Sequence, residues 1–387
     1  MWRFFIFLSI FLISCSEEDS STDSGSGSGD DGGEEVYDGD SKLYVCDQTG
    51  DAVYVYDPST LNILNTIPID FSEDGTSQNP HFVAIDEVNG YWFVTASQSG
   101  YIGMYDLEED TLIHFIDVGD SPALLAIDDE TQTLFVSRMM SMMPGMVGPE
   151  PKLDRLDYSG GSLVQEEQVC LAPTEDFLDF PEPHAISFSN ETSRPGGTLM
   201  SASFISDWIS RTDMYSGGGT QTIHQPLHGD DQAWPDVEVN QLFPLAVTQK
   251  DDYAFFSCSG SSAADVSGQV QSWAVGDMAD PSLKSVYEFD SSSMLWHIVA
   301  SPIESQVFVV LSGGDNIGVA CISYDEGEEF VDALNGTYDE GEEFIDLDDN
   351  GIYNEGEEFV DELNGMYDEG EVFEDTGNGV YDSDGTL

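Results

Sequence analysis

From residue 43 onward, short runs alternate apolar and polar positions, and clusters of Gly, Asn, Asp and Pro separate them. A period of two puts successive side chains on opposite faces, so each run predicts a half-buried strand and the region an all-β domain. One pair of runs is duplicated. LYVCDQTGDAVYVYDPSTLNIL (43–64) returns as WFVTASQSGYIGMYDLEEDTLI (92–113), with Val45 to Val94 and Asp57 to Asp106 both 49 apart. Weaker copies of the first strand follow at TLFVSR (133–138), TLMSAS (198–203), YAFFSCSG (253–260) and VFVVLSGG (307–314). Repeats of about 40 to 50 residues built from four short strands predict propeller blades.

The inner strand of each blade is placed by a leading Pro or Trp: NPHFVAID (79–86), SPALLAID (121–128), EPHAISFS (182–189), FPLAVTQ (243–249) and LWHIVAS (295–301). Five such starts, plus a first repeat that begins at its second strand, predict a β-propeller of about six to seven blades, incomplete in this chain. Closure needs an inner strand for the first blade and an outer strand for the last, yet VACIS (319–323) runs straight into an acidic tail. Three explanations stay open: the tail contributes strands, the strand assignment between 205 and 242 is wrong, or the acidic repeats are inserted in a longer propeller. Asp57 and Asp106 read as turn caps between blade strands.

YVCD followed by VYVYD, and FVTA followed by IGMYD, resemble the YVTN-repeat β-propellers of bacterial surface-layer-like proteins. The resemblance spans residues 42–323, is good in two repeats and fades beyond residue 140. It implies an exported propeller. Similar propellers include lactone hydrolases and the heavy subunits of periplasmic dehydrogenases, so an enzyme is one alternative that the resemblance carries.

The N-terminus supplies an address. MWRFFIFLSIFLISC has one base, Arg3, and an apolar run from Phe4 to Ile13 that is too short to span a bilayer, so it reads as an export signal. Leu12-Ile13-Ser14-Cys15 resembles the bacterial lipobox, which implies a signal peptide over 1–15 and Cys15 as the lipid anchor that ties the protein to a membrane. Ser16-Glu17-Glu18-Asp19 resembles the tag that sends some lipoproteins to the outer face of the outer membrane, implying a cell-surface location. Residues 16–41 are Gly, Ser and acid with little to bury, and predict a flexible tether.

Charge narrows the partners. The chain has 76 acids against 9 bases, a formal net charge of −67, and 42 of the acids lie in residues 42–323 with 8 of the bases. Binding phosphate by counterion release needs clustered Lys and Arg, so nucleic acid is excluded as a partner. Anionic membrane surfaces are excluded on the same ground.

Candidate chemistry in the body is sparse. His81, His184 and His297 read as one register position at the head of every second inner strand, from which they would converge on one channel mouth and suit a transition metal or acid/base work. The competing reading is a histidine hydrogen-bonded to a neighbouring loop, with Ala123 and Leu245 in the intervening slots. Met139, Met140, Met142, Met143 and Met146 crowd into eight residues, where thioethers suit a copper ion, Cu(I), or pack adaptably in an inserted loop. Cys46, Cys170, Cys258 and Cys321 allow disulfides or buried thiols. No nucleophile elbow, H-E-x-x-H, haem-attachment or phosphate-loop motif is present.

The tail (324–387) holds 24 acids and no base, and it is phased. Tyr324, Tyr338, Tyr353, Tyr367 and Tyr381 recur at steps of 14, 15, 14 and 14; Phe330, Phe344, Phe359 and Phe373 follow in step, with Asn-Gly at 335, 350, 364 and 378. Solvated disorder needs no phased aromatics or turns, whereas carboxylates around a tight Gly turn suit calcium. The best unit, Asp346, Asp348, Asn350, the carbonyl of Ile352 and Glu357, resembles the twelve-residue EF-hand loop. Its neighbours are one residue short, and the flanks leave no room for EF-hand helices. A tandem array of calcium loops is expected.

These readings converge on a non-enzymatic surface lipoprotein whose propeller binds a protein, glycan or small molecule and whose tail binds calcium. The alternatives are a lactonase-like or dehydrogenase-subunit-like enzyme and an exported metal-handling protein.

Overall fold

Each predicted alternation becomes a strand because the apolar set of every run has a neighbouring sheet to bury against. The computed structural model describes residues 41–72, 75–119, 121–138, 152–171, 183–190, 192, 196–204, 207–214, 220–227, 242–261, 266–276, 280–289, 294–313, 316–324, 330–331 and 372–373. Among them there are strands and turns and no helix. The chain divides into two compact units, Met1–Ser323 and Tyr324–Leu387.

Unit one is a six-bladed β-propeller of antiparallel sheets. The first blade has three strands: Leu43–Asp47 (β1), Ala52–Tyr56 (β2) and Ile63–Pro68 (β3). The second is Pro80–Asp86 (β4), Tyr91–Ala96 (β5), Tyr101–Asp106 (β6) and Leu112–Asp117 (β7). The third is Pro122–Asp128 (β8), Thr133–Arg138 (β9) and Lys152–Asp157 (β10), edged by Val164–Gln165 (β11) and Val169–Cys170 (β12). Pro183–Ser189 (β13), Thr198–Ser203 (β14), Trp208–Met214 (β15) and Thr220–Pro226 (β16) form the fourth. Pro244–Lys250 (β17), Tyr253–Cys258 (β18), Gln269–Ala274 (β19) and Ser282–Glu288 (β20) form the fifth. Met294–Ala300 (β21), Gln306–Gly313 (β22) and Asn316–Ser323 (β23) form the last.

The inner strands stand side by side in the order β4, β8, β13, β17, β21. Among the described residues nothing fills the inner position of the first blade or the outer position of the last. The second strand of a blade is the most enclosed: β9, β14 and β18 are buried at every residue. Its side chains fill the wedge between blades. Phe93 and Met104 of the second blade meet Leu134, Val136 and Leu156 of the third, and Met200 and Ile209 of the fourth meet Phe256 and Trp273 of the fifth. Among the described residues Cys46, Cys170, Cys258 and Cys321 are free thiols, Cys46 and Cys258 buried among the strands, so no disulfide joins them.

Turn chemistry links one blade to the next. Asp57 and Asp106 cap their own turns, Asp57 accepting from Ser59 N at 2.8 Å and Asp106 from Glu109 N at 2.8 Å. The Ser59 and Thr60 hydroxyls, joined by the Ser59 amide, favour the charged form and hold the Asp57 carboxyl down at about 2. Asp51 and Asp207 reach further. Both sit in the left-handed region between the second and third strands of a blade, where their carboxylates accept from the backbone that opens the following blade. Asp51 takes Gln78 N and Asn79 N at 2.9 and 2.8 Å, and the fully buried Asp207 takes Leu242 N and Phe243 N at 3.1 to 3.2 Å.

Unit two contributes one described strand pair. Phe330–Val331 (β24) lies antiparallel to Val372–Phe373 (β25), with Phe330 opposite Phe373.

Replacing Asp207 by Ala strips two amides of their acceptor, and an unsatisfied buried donor costs about 1–3 kcal/mol. The Asp207→Ala protein is expected to lose about 2–4 kcal/mol in urea denaturation at an unchanged denaturant slope.

Candidate functional site

The head of every inner strand carries a β-bulge. In the second blade Pro80 pairs with Ala96 and Val83 with Val94, so His81 and Phe82 together oppose the single residue Thr95. In the third, Ala123 and Leu124 oppose Ser137. The fourth and fifth blades insert His184 and Leu245 after their prolines, and in the last Trp296 and His297 oppose Val310. A bulge leaves one residue outside the ladder and re-aims its side chain.

The pairing corrects one expectation. His81 and His184 share a register position, directly after proline, but Trp296 holds that position in the last blade. His297 lies one residue later, level with Phe82. The proline spacing in the other blades does not carry over, because the last inner strand opens on Leu295-Trp296.

Alternate blades are nevertheless close enough for their histidines to meet. The His81 and His184 rings stand 6.2 Å apart, centre to centre, at 68°, with Ala123 presenting only a methyl group in the intervening slot. His297 lies against Phe82 at 5.6 Å, bringing the last blade to the second. Each histidine is anchored by a neighbouring blade. His184 Nδ1 is 2.8 Å from the carbonyl oxygen of Leu245, and His81 Nδ1 is 2.6 Å from Nε2 of Gln48 in the first blade. His81 and His184 thus meet ring to ring, each bonded to a neighbouring segment, while His297 rests against Phe82.

Electrostatics keep these imidazoles neutral. Burial pushes His184 and His297 down to about 4, with repulsion from His184 adding to the effect at His297. The Leu245 contact pulls His184 back only in part. His81 is held well below the ordinary imidazole range by burial first and then by its two neighbours. Because Leu245 O can only accept, His184 carries its proton on Nδ1, which leaves a lone pair on Nε2. That buried Nε2 has no hydrogen-bond partner among the described residues.

Gln48, Phe82 and the Leu245 carbonyl complete the site and were not signalled by spacing. Gln48 sits in a turn with no pattern, and a carbonyl has no sequence signature. A hydroxyl opposite the bulge does have one: the Thr or Ser of FVTA, FVSR and FFSC. Thr95 Oγ1 accepts from Phe82 N at 3.0 Å and donates to Ala123 O at 2.9 Å, while the Ser257 hydroxyl donates to Trp296 O, so both tie one blade to the next.

The other expected positions lie outside the described residues: Cys15, the methionines Met139, Met140, Met142, Met143 and Met146, and the calcium-loop set Asp346, Asp348, Asn350, Ile352 and Glu357. Among the described residues no group of three His, Cys, Asp or Glu converges to hold a metal ion.

No protein-family model matches the sequence, and no curated protein matches it. Among solved structures the chain is similar to a functionally unknown protein from Desulfotomaculum acetoxidans, at 12% identity and a TM-score of 0.50, over 71% of this chain and 74% of that one. It is also similar to a protein from Lactobacillus plantarum (13% identity, TM-score 0.47, 69% and 73% covered) and to the hydrazine synthase of Kuenenia stuttgartiensis (14%, 0.48, 71% and 74%). At 12% identity the first of these is a likeness of fold alone.

The lowered histidines fix the sign of a pH effect. At pH values above about 6.5 both folded and unfolded imidazoles are neutral; between about 6.5 and about 4 the unfolded chain binds protons that the folded chain refuses. Stability of the metal-free protein is expected to fall with pH across that window. Urea midpoints at pH 7, 5.5 and 4.5 should fall less steeply for His184→Gln and for His297→Gln than for the wild type.

Proposed function

We propose that this protein is a surface-anchored, non-enzymatic propeller lipoprotein that presents a binding face and carries a calcium-binding tail. The observation that carries the tail reading is the β24–β25 pair. It joins Phe330 to Phe373, the first and last of the four phased phenylalanines, and so closes a loop within a 64-residue segment that has 24 acids and no base. Closing about 40 residues costs about 3 kcal/mol in chain entropy, before any repulsion between carboxylates. Divalent cations bound in the Asn-Gly loops would supply the missing countercharge, and hard oxygen donors select calcium among them.

The binding role rests on the outer strands. Leu61, Ile63 and Leu64 around β3, and Leu112, Ile113 and Phe115 on β7, are exposed in adjacent blades of an otherwise acid-rich surface. Phe115 stacks on the buried Phe71 at 5.3 Å, so this apolar rim is anchored rather than loose. Exposed apolar surface with a polar surround suits a protein or glycan partner. The membrane connection follows from the lipobox-like Cys15, and the outer-membrane address from the acids behind it.

Calorimetry on the full chain at constant ionic strength is expected to give saturable calcium binding, with the tail tyrosines ordering in near-UV circular dichroism. The triple variant Asp346→Asn, Asp348→Asn, Glu357→Gln should lose about one ion per chain. Heat that never saturates, with no tyrosine ordering, would mean a solvated acidic brush. For the anchor, feeding cells a labelled fatty acid should mark the wild type and not Cys15→Ala; equal labelling would remove Cys15 from that role.

A further inference from the structure

We propose that His81, His184 and His297 form an acid-operated catch: proton uptake parts the rings and frees the head of β4 while the blades stay folded. The inference is independent of the calcium and binding readings, because it uses only contacts within the propeller unit. Four contacts between blades run through these rings. His81 joins the second blade to Gln48 of the first and to His184 of the fourth, His184 joins the fourth to Leu245 of the fifth, and His297 brings the sixth to Phe82 of the second.

The contacts specify neutral rings. Leu245 O accepts from Nδ1 of His184, whereas the Gln48 amide nitrogen, a donor, faces Nδ1 of His81 at 2.6 Å and holds that ring in the tautomer with Nδ1 bare. A proton on that atom sets donor against donor and turns the Gln48 amide out of its contact. Charging His184 as well puts two cations in buried rings 6.2 Å apart, where repulsion is weakly screened. Opening stays local because the rings sit in bulges. His81 and Phe82, like Trp296 and His297, lie outside the ladder of their strands, so their side chains can swing without breaking ladder bonds.

Among the described residues, the titratable groups that face the cluster are the histidines themselves. His184 from β13 and His297 from β21 act on His81, and His184 acts on His297. Gln48 of the first blade, Ala123 of β8 and Leu245 of β17 bring no charge. His297 keeps part of its surface in solvent and is the ring at which protons arrive. In an opened mouth the imidazoles return to their ordinary value of about 6.5, whereas closed they lie at about 4 for His184 and His297 and well below the ordinary range for His81. Protons therefore favour opening only below about pH 6.5, by about 20-fold at pH 5 for each ring released.

Amide hydrogen exchange on the full-length protein tests this, at constant ionic strength with millimolar calcium and with rates corrected for the intrinsic effect of pH. Between pH 7 and 5 the amides at the heads of β4 and β13 should lose protection by about 20-fold or more, while those in β15 and β19 keep theirs. Phe82 N, which donates to Thr95 Oγ1, is the most direct reporter. The double variant His184→Gln, His297→Gln removes two of the three proton acceptors and keeps a donor for Leu245 O, so its loss should be about tenfold smaller. Gln48→Glu leaves every ring in place and gives Nδ1 of His81 a carboxylate partner, so a charged ring is tolerated and β4 should hold its protection better at pH 5 than in the wild type. Unchanged protection at pH 5, loss spread equally over β15 and β19, or equal loss in the wild type and either variant would each overturn the proposal.

Discussion

The propeller depends on how the backbone enters each inner strand. Three of the five entries pass through a left-handed residue immediately before proline: Asn79, Ser121 and Phe243. A bulky residue such as Phe243 is strained there, so the surroundings must over-determine the turn. They do so with the buried carboxylate of Asp207, which accepts the amides of Leu242 and Phe243, as Asp51 does for Gln78 and Asn79. The bulge that follows would orphan further backbone groups. Hydroxyls on the second strand satisfy them and reach on to the next blade. One local problem is thereby solved with side chains that also hold the blades together.

The scarce cations fit the same pattern. In a chain with 76 acids and 9 bases, several bases bridge neighbouring blades. Lys42 reaches from the first blade to Asp110 and to the carbonyls of Leu107 and Glu108 in the second. Arg211 pairs with Asp213 at 3.2 Å and donates to Val275 O across the fourth and fifth blades, and Lys250 donates to Glu304 O from the fifth to the sixth. Such part-buried, carbonyl-directed contacts are weakly screened by salt, unlike surface ion pairs. Many of the acids act locally, folding Asp-led turns onto their own amides, and this needs no counter-charge from the rest of the molecule.

Strand order and blade count were legible because they rest on repetition: the 49-residue offset between Val45 and Val94 marks equivalent second strands, and the proline-led segments mark inner ones. Register was legible only where proline set it. At β21 no proline fixes the start, the bulge shifts by one residue, and His297 falls level with Phe82 instead of His81. Long-range contact across blades was invisible to pattern. That His81 and His184 meet depends on the ring radius and on Ala123 being small, and neither is encoded by local periodicity. Gln48 and the Leu245 carbonyl were hidden for the same reason.

Enclosure, rather than charge, sets the state of the histidines at the heads of the inner strands. β8 is almost entirely buried, whereas β4 and β21 each keep accessible surface at most of their residues. The His297 and Phe82 rings of these last two strands meet at the bulge level. His81 and His184 are excluded from bulk water strongly enough to stay neutral at pH 7 in a protein of net charge −67. Burial therefore outweighs the surrounding carboxylates, whose field on its own would favour the charged imidazolium.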